Sequence, residues 1–520
     1  YKKQEELLHE AAKALKANPA EIVEKIGHLQ GEVKALSSEN ESLKSKLAKD
    51  ALGDVMDQVE EVKGVKLLAT SIEAMLGFAL LPFYTKIFNP TEYGVLDLMA
   101  VLLAILSVFW TLQLETALRR YYYEVSTFKK KVLITNVIFV VFVLSSITGL
   151  FVFAFSETIS SLLFHSVNYS SIINLLSIQI PLLNVSVLLL LLLRYEKNNL
   201  NFLKTVIVKV ILMIALVYFL VFYYELRIKG VLLAQIIALF VSSSLAFYYN
   251  SHLFVNIYSS SMLKRNFKYA LPQFPARIGS VLLGQANRFF ILQILSLTSI
   301  GIFSISMKIA SAMQLANVAF IMAWAPFMHQ QFKNENNKEV FKQVLPFVSS
   351  IVFLIVCIFS IFSSEFVSIL ANNDYLDSSK YVGGLTLFFA LYIVKECIDI
   401  GPKITEKTKF LSYNFVVSLL VNFITLYLFT NAFELNGVVF AMISTNLVLV
   451  LVSWFTSSRL YPINFDKLYF LILFLPALII AIVSMFINIY LGYKLLICFA
   501  ILLFYGLFFY KSYKQIKKLI

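Results

Sequence analysis

Apolar runs of membrane-spanning length follow one another from Leu67 to the C-terminus of this chain. We count about fourteen, each close to the ~20 residues that a helix needs to cross the bilayer core. Of the 520 residues, 59% are hydrophobic and only 14% are charged, which is membrane-protein composition. The sequence therefore predicts an all-α, polytopic membrane protein, and no loop is long enough to form an enzyme domain.

The loops between these runs alternate between basic and nearly uncharged. By the positive-inside rule the basic loops are cytoplasmic, and both chain termini fall on their side of the membrane. The predicted spans are residues 67–88, 95–117, 132–155, 172–193, 200–223, 230–249, 269–294, 300–325, 343–363, 381–401, 410–430, 436–457, 467–488 and 492–510.

Residues 1–64 are unlike the rest, because they carry a net charge of −3 whereas the remainder carries +16. A strict 4-3-4-3 spacing relates the apolar residues Ile22, Ile26, Leu29, Val33, Leu36, Leu43 and Leu47. Asn40 fills the one polar core position, as is common where an Asn fixes helix register. The pattern predicts a short soluble coiled coil.

The amino-acid sequence of the N-terminal segment is characteristic of one protein family. The run AEIVEKIGHLQGEVKALSSENESLKSKLAKD, with its continuation, resembles the helical linker of bacterial alanyl-tRNA synthetases over about residues 1–72. The resemblance includes neither the aminoacylation domain nor the editing site, so it implies no synthetase activity. A natural fusion, an engineered fusion and a mis-assembled reading frame all fit a join near Ser71 to Met75.

Two short glycine-containing motifs each occur twice in the membrane part, and both are repeated after the same number of residues. Gly94 in PTEYGVLDL matches Gly301 in LTSIGIFSI, Gly230 in IKGVLLAQI matches Gly437 in LNGVVFAMI, and both pairs are 207 residues apart. Spans 1–6 are therefore predicted to repeat in spans 7–12, around an axis along the membrane normal with the substrate site between the halves. The expected domains are a coiled coil (1–64), an N-lobe (65–255), a C-lobe (256–460) and a final helix pair with a basic tail (461–520).

Four segments carry a family resemblance: LLPFYTKIFNPTEYGVLDLM, ETALRRYYYE, LPQFPARIGSVLLGQANRFFILQ and GIFSISMKIA. Over about residues 73–520 the chain closely resembles the Wzx-like polysaccharide flippases of the MOP exporter superfamily. The resemblance implies fourteen helices in two six-helix lobes plus a C-terminal pair. It also implies a bacterial inner-membrane transporter, and no enzyme, that moves a polyprenyl-pyrophosphate-linked oligosaccharide outward by alternating access.

Such a cargo requires fixed positive charge inside the membrane, where each charged side chain is costly and is a functional candidate. Arginine suits phosphate because its planar fork bonds two oxygens. The candidate substrate-binding cations are Arg120, Lys209, Arg277, Arg288, Lys308 and Lys395. For Arg120 the alternative is snorkelling to the cytoplasmic interface, and for Lys395 it is pairing with Glu396 or Asp399.

Other polar and proline residues within the spans have more general roles. Asp97 and Glu115 could carry a coupling proton or ion, or could neutralise a neighbouring cation. Transport could accordingly be coupled to H⁺, Na⁺ or the membrane potential. Side chains near the span 7 arginines offer sugar-type hydrogen bonds: Gln273, Gln285 and Asn287. Helix bends are expected at Pro82, Pro272 and Pro275.

The sequence predicts no catalytic residue, metal site or cofactor; Cys357, Cys397 and Cys498 lack metal-ligand spacing. The expected partners are the lipid-linked oligosaccharide, membrane lipids and polysaccharide assembly proteins, with no nucleic acid. The main alternative is a MATE-like exporter of cationic drugs, whose cavity should be acidic. A glycosyl enzyme would need paired carboxylates, for which Asp374 and Asp377 are the only candidates.

Overall fold

The computed structural model describes residues 77–519, apart from residues 79, 408, 488 and 489. These residues all belong to one compact unit, Ala69–Ile520. The predicted coiled coil of residues 1–64 and the first half of the first predicted span lie outside the described residues.

Helices make up nearly all of the described chain, and no strand occurs within its ranges. The α-helices are α1 (Leu81–Ile87), α2 (Pro90–Thr111), α3 (Leu114–Tyr121), α4 (Thr127–Ala154), α5 (Ser156–Phe164), α6 (Ser170–Tyr195), α7 (Asn199–Val217), α8 (Arg227–Asn250), α9 (Ser260–Ala270), α10 (Phe274–Ile294), α11 (Leu297–Ala310), α12 (Ala312–Gln331), α13 (Asn337–Ile361), α14 (Ser363–Leu370), α15 (Ser379–Ile398), α16 (Ile400–Ile404), α17 (Lys409–Leu460), α18 (Lys467–Val483) and α19 (Leu491–Leu519). The expected all-α architecture is confirmed.

Ten helical stretches among the described residues are long and apolar enough to cross a membrane. One of them, α17, is two helices joined at Glu434, whose backbone is non-helical, and it holds the predicted spans 410–430 and 436–457. Another joins α11 to α12. The shorter apolar α18 and the more polar α10 occupy two further predicted spans.

The second predicted span, 95–117, is too long at its C-terminal end. α2 ends at Thr111, and Leu112 and Gln113 both take left-handed backbone angles. Because consecutive left-handed residues cannot continue a right-handed helix, a separate helix α3 begins at Leu114. Glu115 and Arg120 therefore lie on α3 and not at the end of the span.

The internal repeat is visible in how two helices begin. α2 is capped by Asn89, whose side chain accepts a hydrogen bond from the Glu92 amide (2.9 Å). α11 is capped by Ser296, whose hydroxyl accepts one from the Ser299 amide (3.1 Å). Such caps satisfy donors that have no partner within the helix and are each worth about 1 kcal/mol. The two caps lie at the same offset as the glycine pairs, so both halves start this helix in the same way.

The helices pack into two lobes, which we call the N-lobe (α1–α8) and the C-lobe (α10–α17). In the N-lobe, α6 packs between α4 and α8, and α2 lies against α4 and α6. In the C-lobe, α15 packs between α13 and α17, and α11 lies against α15. The lobes meet where α2 of the N-lobe crosses α11 and also contacts α10. The predicted lobe boundaries at 255 and 460 stay predictions.

The last two helices pack on the C-lobe, with α18 and α19 against α13. The outer face of α19 carries large exposed apolar side chains such as Phe499 (63% exposed) and Leu507 (69%). An apolar surface of this kind is stable against lipid and not against water. The arrangement is that of a multi-pass membrane protein.

Candidate functional site

Within the described residues one ion pair joins the two lobes, and we call this pair and its surroundings the centre of the site. Arg288 on α10 places its Nε 3.1 Å from the Asp97 Oδ2 on α2, and the side chains are only 9% and 21% exposed. Asn287 orients the guanidinium by accepting from Arg288 Nη1 at 2.9 Å. The Phe303 ring lies 5.1 Å from the guanidinium carbon. The sequence predicted both charged residues as candidates, and the structure shows that they are partners.

Lys308 on α11 is the second cation at this centre. Its ammonium lies 5.8 Å from the centre of the Phe78 ring and packs against Gly77, where a Cβ would collide with it. Among the described residues it makes no ion pair. A half-buried ammonium inside the membrane part that forms no ion pair is costly, so this position favours an anion that arrives from outside.

Two cavities open on either side of this centre. The cavity in the C-lobe has a volume of about 570 Å³, and the cavity in the N-lobe about 440 Å³. Tyr93, Asp97 and Lys308 line both, whereas Arg288 lines the C-lobe cavity. The charged residues lining the two cavities are therefore two cations and one carboxylate, which leaves a net positive charge.

The lobes are closed against each other at one end, which the loop charges predict to face outward and which we call the outer end. Gly94 of α2 packs on the backbone of α11, and Gly301 of α11 packs on Pro90, so that a Cβ at either glycine would collide with a carbonyl oxygen. At the same end the Tyr375 hydroxyl donates to the Phe88 carbonyl at 2.9 Å. Only glycine permits helices to approach this closely.

The other predicted cations do not line these cavities. Arg120 is exposed and pairs with Glu124 at 2.7 Å. Arg277 lies exposed on the first turns of α10, within electrostatic range of Glu115, and Lys209 is half-buried on α7. The two candidate acids are thus separated, because Asp97 lines the cavities while Glu115 lies on α3, toward the predicted cytoplasmic side.

Lys395 pairs with Glu396 and Asp399, which is the alternative to substrate binding that the sequence left open. Its ammonium lies 2.6 Å from Asp399 and 3.0 Å from Glu396, and its side chain is 6% exposed. Lys403 approaches the other Glu396 oxygen at 2.5 Å. Two cations and two carboxylates thus neutralise one another inside the C-lobe, and none of the four lines either cavity.

The three predicted bend prolines all lie near helix starts. Pro82 is in the first turn of α1, Pro272 lies in the short 3₁₀ helix Leu271–Gln273, and Pro275 is in the first turn of α10. Proline is tolerated at these positions because the first amides of a helix have no acceptor within it. Pro272 and Pro275 thus mark the junction between α9 and α10.

Several neutral residues of the C-lobe cavity were missed by the sequence reasoning. They are Ser304, Gln314, Asn317, Tyr392 and Asn446. Gln314 and Asn317 are three residues apart within an apolar helix, and amides in such a place are a signal that could have been used. Of the earlier candidates for sugar contacts, Gln285 lines the cavity, whereas Asn287 is turned to Arg288 and Gln273 bonds the Tyr269 carbonyl.

Comparisons with known proteins identify the family and similar folds. A profile of the family described as "Polysaccharide biosynthesis protein" matches residues 63–332. The fold is similar to that of the lipid II flippase MurJ in an inward closed conformation (TM-score 0.63, 17% identity, covering 86% of this chain and 98% of that one). It is also similar to a mutant of the Vibrio cholerae MATE transporter VcmN (TM-score 0.55, 14% identity, 80% and 98%). At these identities the likeness concerns the fold alone.

The N-terminal segment has different relatives. It is 61% identical over 72 residues to alanine–tRNA ligase 1 of Lachnoclostridium phytofermentans, and 46% identical over 66 residues to the ligase of Cupriavidus necator. These matches cover 14% and 13% of this chain, and the chain spans only 8% of the length of either ligase. The resemblance of residues 1–72 to an alanyl-tRNA synthetase fragment is confirmed.

Proposed function

Because this chain belongs to the polysaccharide biosynthesis protein family, we propose that it moves a polyprenyl-pyrophosphate-linked oligosaccharide from the cytoplasmic to the outer leaflet by alternating access. The observation that carries the proposal is the position of Arg288 and Lys308 on the C-lobe side of the seam between the lobes. Two cations there can hold a pyrophosphate between the lobes, while the lipid tail stays in the bilayer.

The Asp97–Arg288 pair gives the cargo a way to act on the protein. A pyrophosphate that enters the cavity competes with Asp97 for the guanidinium, and its two phosphates offer more oxygens than one carboxylate. Displacing Asp97 removes an ion pair that joins α2 to α10. Substrate binding thereby loosens the contact between the lobes, and the released Asp97 becomes available for a proton or cation.

The structural likeness to MATE transporters raises the second candidate function, an exporter of cationic compounds. A site for cations needs carboxylates in excess, but the lining of the two cavities carries Arg288 and Lys308 against Asp97 alone. The charge of the site therefore favours an anionic cargo. The chain is accordingly assigned as a transporter and not as an enzyme.

The proposal also includes location and partners. We propose that the chain lies in the inner membrane of a bacterium with both termini in the cytoplasm, and the basic loops support this orientation. Export of repeat units further suggests contact with polysaccharide assembly proteins. Because the matched segment spans only 8% of that alanine–tRNA ligase, the proposal includes no ligase activity.

The test is complementation, with the full chain expressed in a bacterium that lacks its own polysaccharide flippase. We expect surface polysaccharide to return with the wild type and with Arg120→Ala, but not with Arg288→Ala combined with Lys308→Ala, at equal membrane levels. Rescue by the double variant would contradict the assignment of the site. Resistance to cationic drugs without any surface polysaccharide would favour the exporter.

A further inference from the structure

The C-lobe cavity contains polar groups that nothing in the described protein satisfies. The half-buried Gln285 and the exposed Gln314 both line the cavity, and their side-chain amides make no hydrogen bond to a described residue. Ser304 is 4% exposed, and its hydroxyl has no partner; the same is true of the shielded Asn317 carbonyl oxygen. Because shielded polar groups without partners are costly, the Ser304 hydroxyl and the Asn317 oxygen, beside the accessible amides of Gln285 and Gln314, indicate a polar ligand.

Aromatic rings form another part of the same lining. Phe388, Phe389 and Tyr392 lie along α15, and the Phe388 and Tyr392 rings meet edge to face at 6.4 Å. Asn446 donates to the Phe388 carbonyl at 2.7 Å, which leaves its side-chain oxygen available. Amides beside aromatic faces suit a molecule with both hydroxyl groups and apolar C–H faces, as a sugar ring has.

The charges of this cavity are limited to three side chains. Arg288, Lys308 and Asp97 lie at its seam with the N-lobe, and the other described residues of its lining are neutral. A pyrophosphate held at the seam would thus have the neutral amides and rings next to it on the C-lobe side. The sequence of charged and then neutral groups along the cavity matches a ligand in which a pyrophosphate is followed by a sugar.

The N-lobe cavity is built differently. Its two amides, Gln179 and Gln235, bond each other at 2.7 Å, which leaves the Gln179 oxygen as the shielded group without a partner. Most of its remaining lining is aliphatic, with Leu96, Leu103, Leu183, Val231 and Leu232 among it. The two cavities are therefore unequal, although they lie on either side of the same centre.

We infer that the C-lobe cavity is the subsite for the sugar head, and that Gln285, Gln314 and Asn317 read the hydroxyl or acetamido groups of a neutral sugar. This inference rests on the proposed function, because it takes the pyrophosphate to bind at Arg288 and Lys308. It adds that recognition of the sugar is a property of one lobe.

The experiment compares two lipids on the purified full chain: bare polyprenyl pyrophosphate and the same lipid carrying one N-acetylglucosamine. The wild type should bind the sugar-bearing lipid more tightly. Gln314→Leu with Asn317→Leu should remove this preference, by about tenfold or more for two lost hydrogen bonds, and leave binding of the bare lipid unchanged. Gln179→Leu with Gln235→Leu, the matched pair in the N-lobe, should keep the preference. Gln285→Ala serves as a second, milder variant if the double leucine variant does not fold.

Three results would overturn the inference: equal binding of the two lipids by the wild type, a preference that survives both C-lobe variants, or its loss in the N-lobe control. A wild type that binds neither lipid would instead contradict the proposed function itself.

Discussion

The hydroxyl oxygens of Thr91 and Thr298 lie 2.8 Å apart, and the two residues are separated by 207 positions, which is the offset of the internal repeat. Equivalent residues of the two halves therefore touch each other at the outer end. Such a contact occurs where a pseudo-twofold axis passes between two helices. To open toward the outside, the protein must separate Thr91 from Thr298. It must also separate the helices that pack closely at Gly94 and Gly301.

A disulfide at this contact should stop transport. In Thr91→Cys with Thr298→Cys the two side chains are near enough for the bond to form, and mild oxidation would then hold the outer end shut. We expect transport into proteoliposomes to be lost on oxidation and to return with a reductant. Either single cysteine variant should be unaffected by the oxidant, and full transport by the cross-linked protein would disprove closure at this point.

Asp97→Asn should strengthen binding of polyprenyl pyrophosphate and slow its transport. The substitution removes the competitor for Arg288 but keeps a side chain of the same shape. Charge-assisted hydrogen bonds are worth about 1.5–3 kcal/mol, so the affinity should rise roughly 10- to 100-fold. Equilibrium binding in detergent measures this, with Arg288→Ala as the opposite case. Weaker binding by Asp97→Asn would mean that the carboxylate supports the substrate site.

The attachment of the last helix, α19, should depend on Lys494. Its side chain is 4% exposed, and its ammonium lies 2.8 Å from the Ser364 hydroxyl and 2.9 Å from both Glu365 oxygens. Lys494→Met should cost about 1–3 kcal/mol and lower the thermal unfolding temperature. The matched control is Lys380→Met, because Lys380 pairs with Asp377 in an exposed position worth at most ~1 kcal/mol. Equal effects of the two variants would argue against this anchor.

Asp399→Asn should lower the stability of the fold and should have no direct effect on substrate binding. Asp399 is fully buried and pairs with Lys395, so the substitution leaves a buried ammonium with one carboxylate fewer. Breaking a buried pair in this way typically costs about 3–5 kcal/mol. We expect less folded protein in the membrane, measured by size-exclusion chromatography of a fluorescent fusion. Replacing both partners by apolar residues should recover part of the loss, and a normal folded yield with altered lipid binding would instead place this cluster in the substrate path.

Single-residue features of the sequence led to part of the site. Arg288, Lys308 and Asp97 could be found because a charge within an apolar span is rare and costly. Arg277 satisfied the same criterion and helical spacing put it on the same side as Arg288, yet only Arg288 lines the cavity. Arg277 instead lies near the start of α10, where it is exposed and within electrostatic range of Glu115 on α3. Helical spacing relates the two arginines to each other but not to the neighbouring helix.

The sequence by itself determined the membrane character, the positions of most helices and the repeat. It could do so because a bilayer requires long apolar segments whose backbone groups bond within the helix, and this requirement is local. Only the tertiary structure decided which charges meet. Arg288 pairs with a carboxylate 191 residues away, while Lys395 is neutralised within its own lobe. Both outcomes depend on which helix faces pack together, and that is set by side chains far apart in the chain.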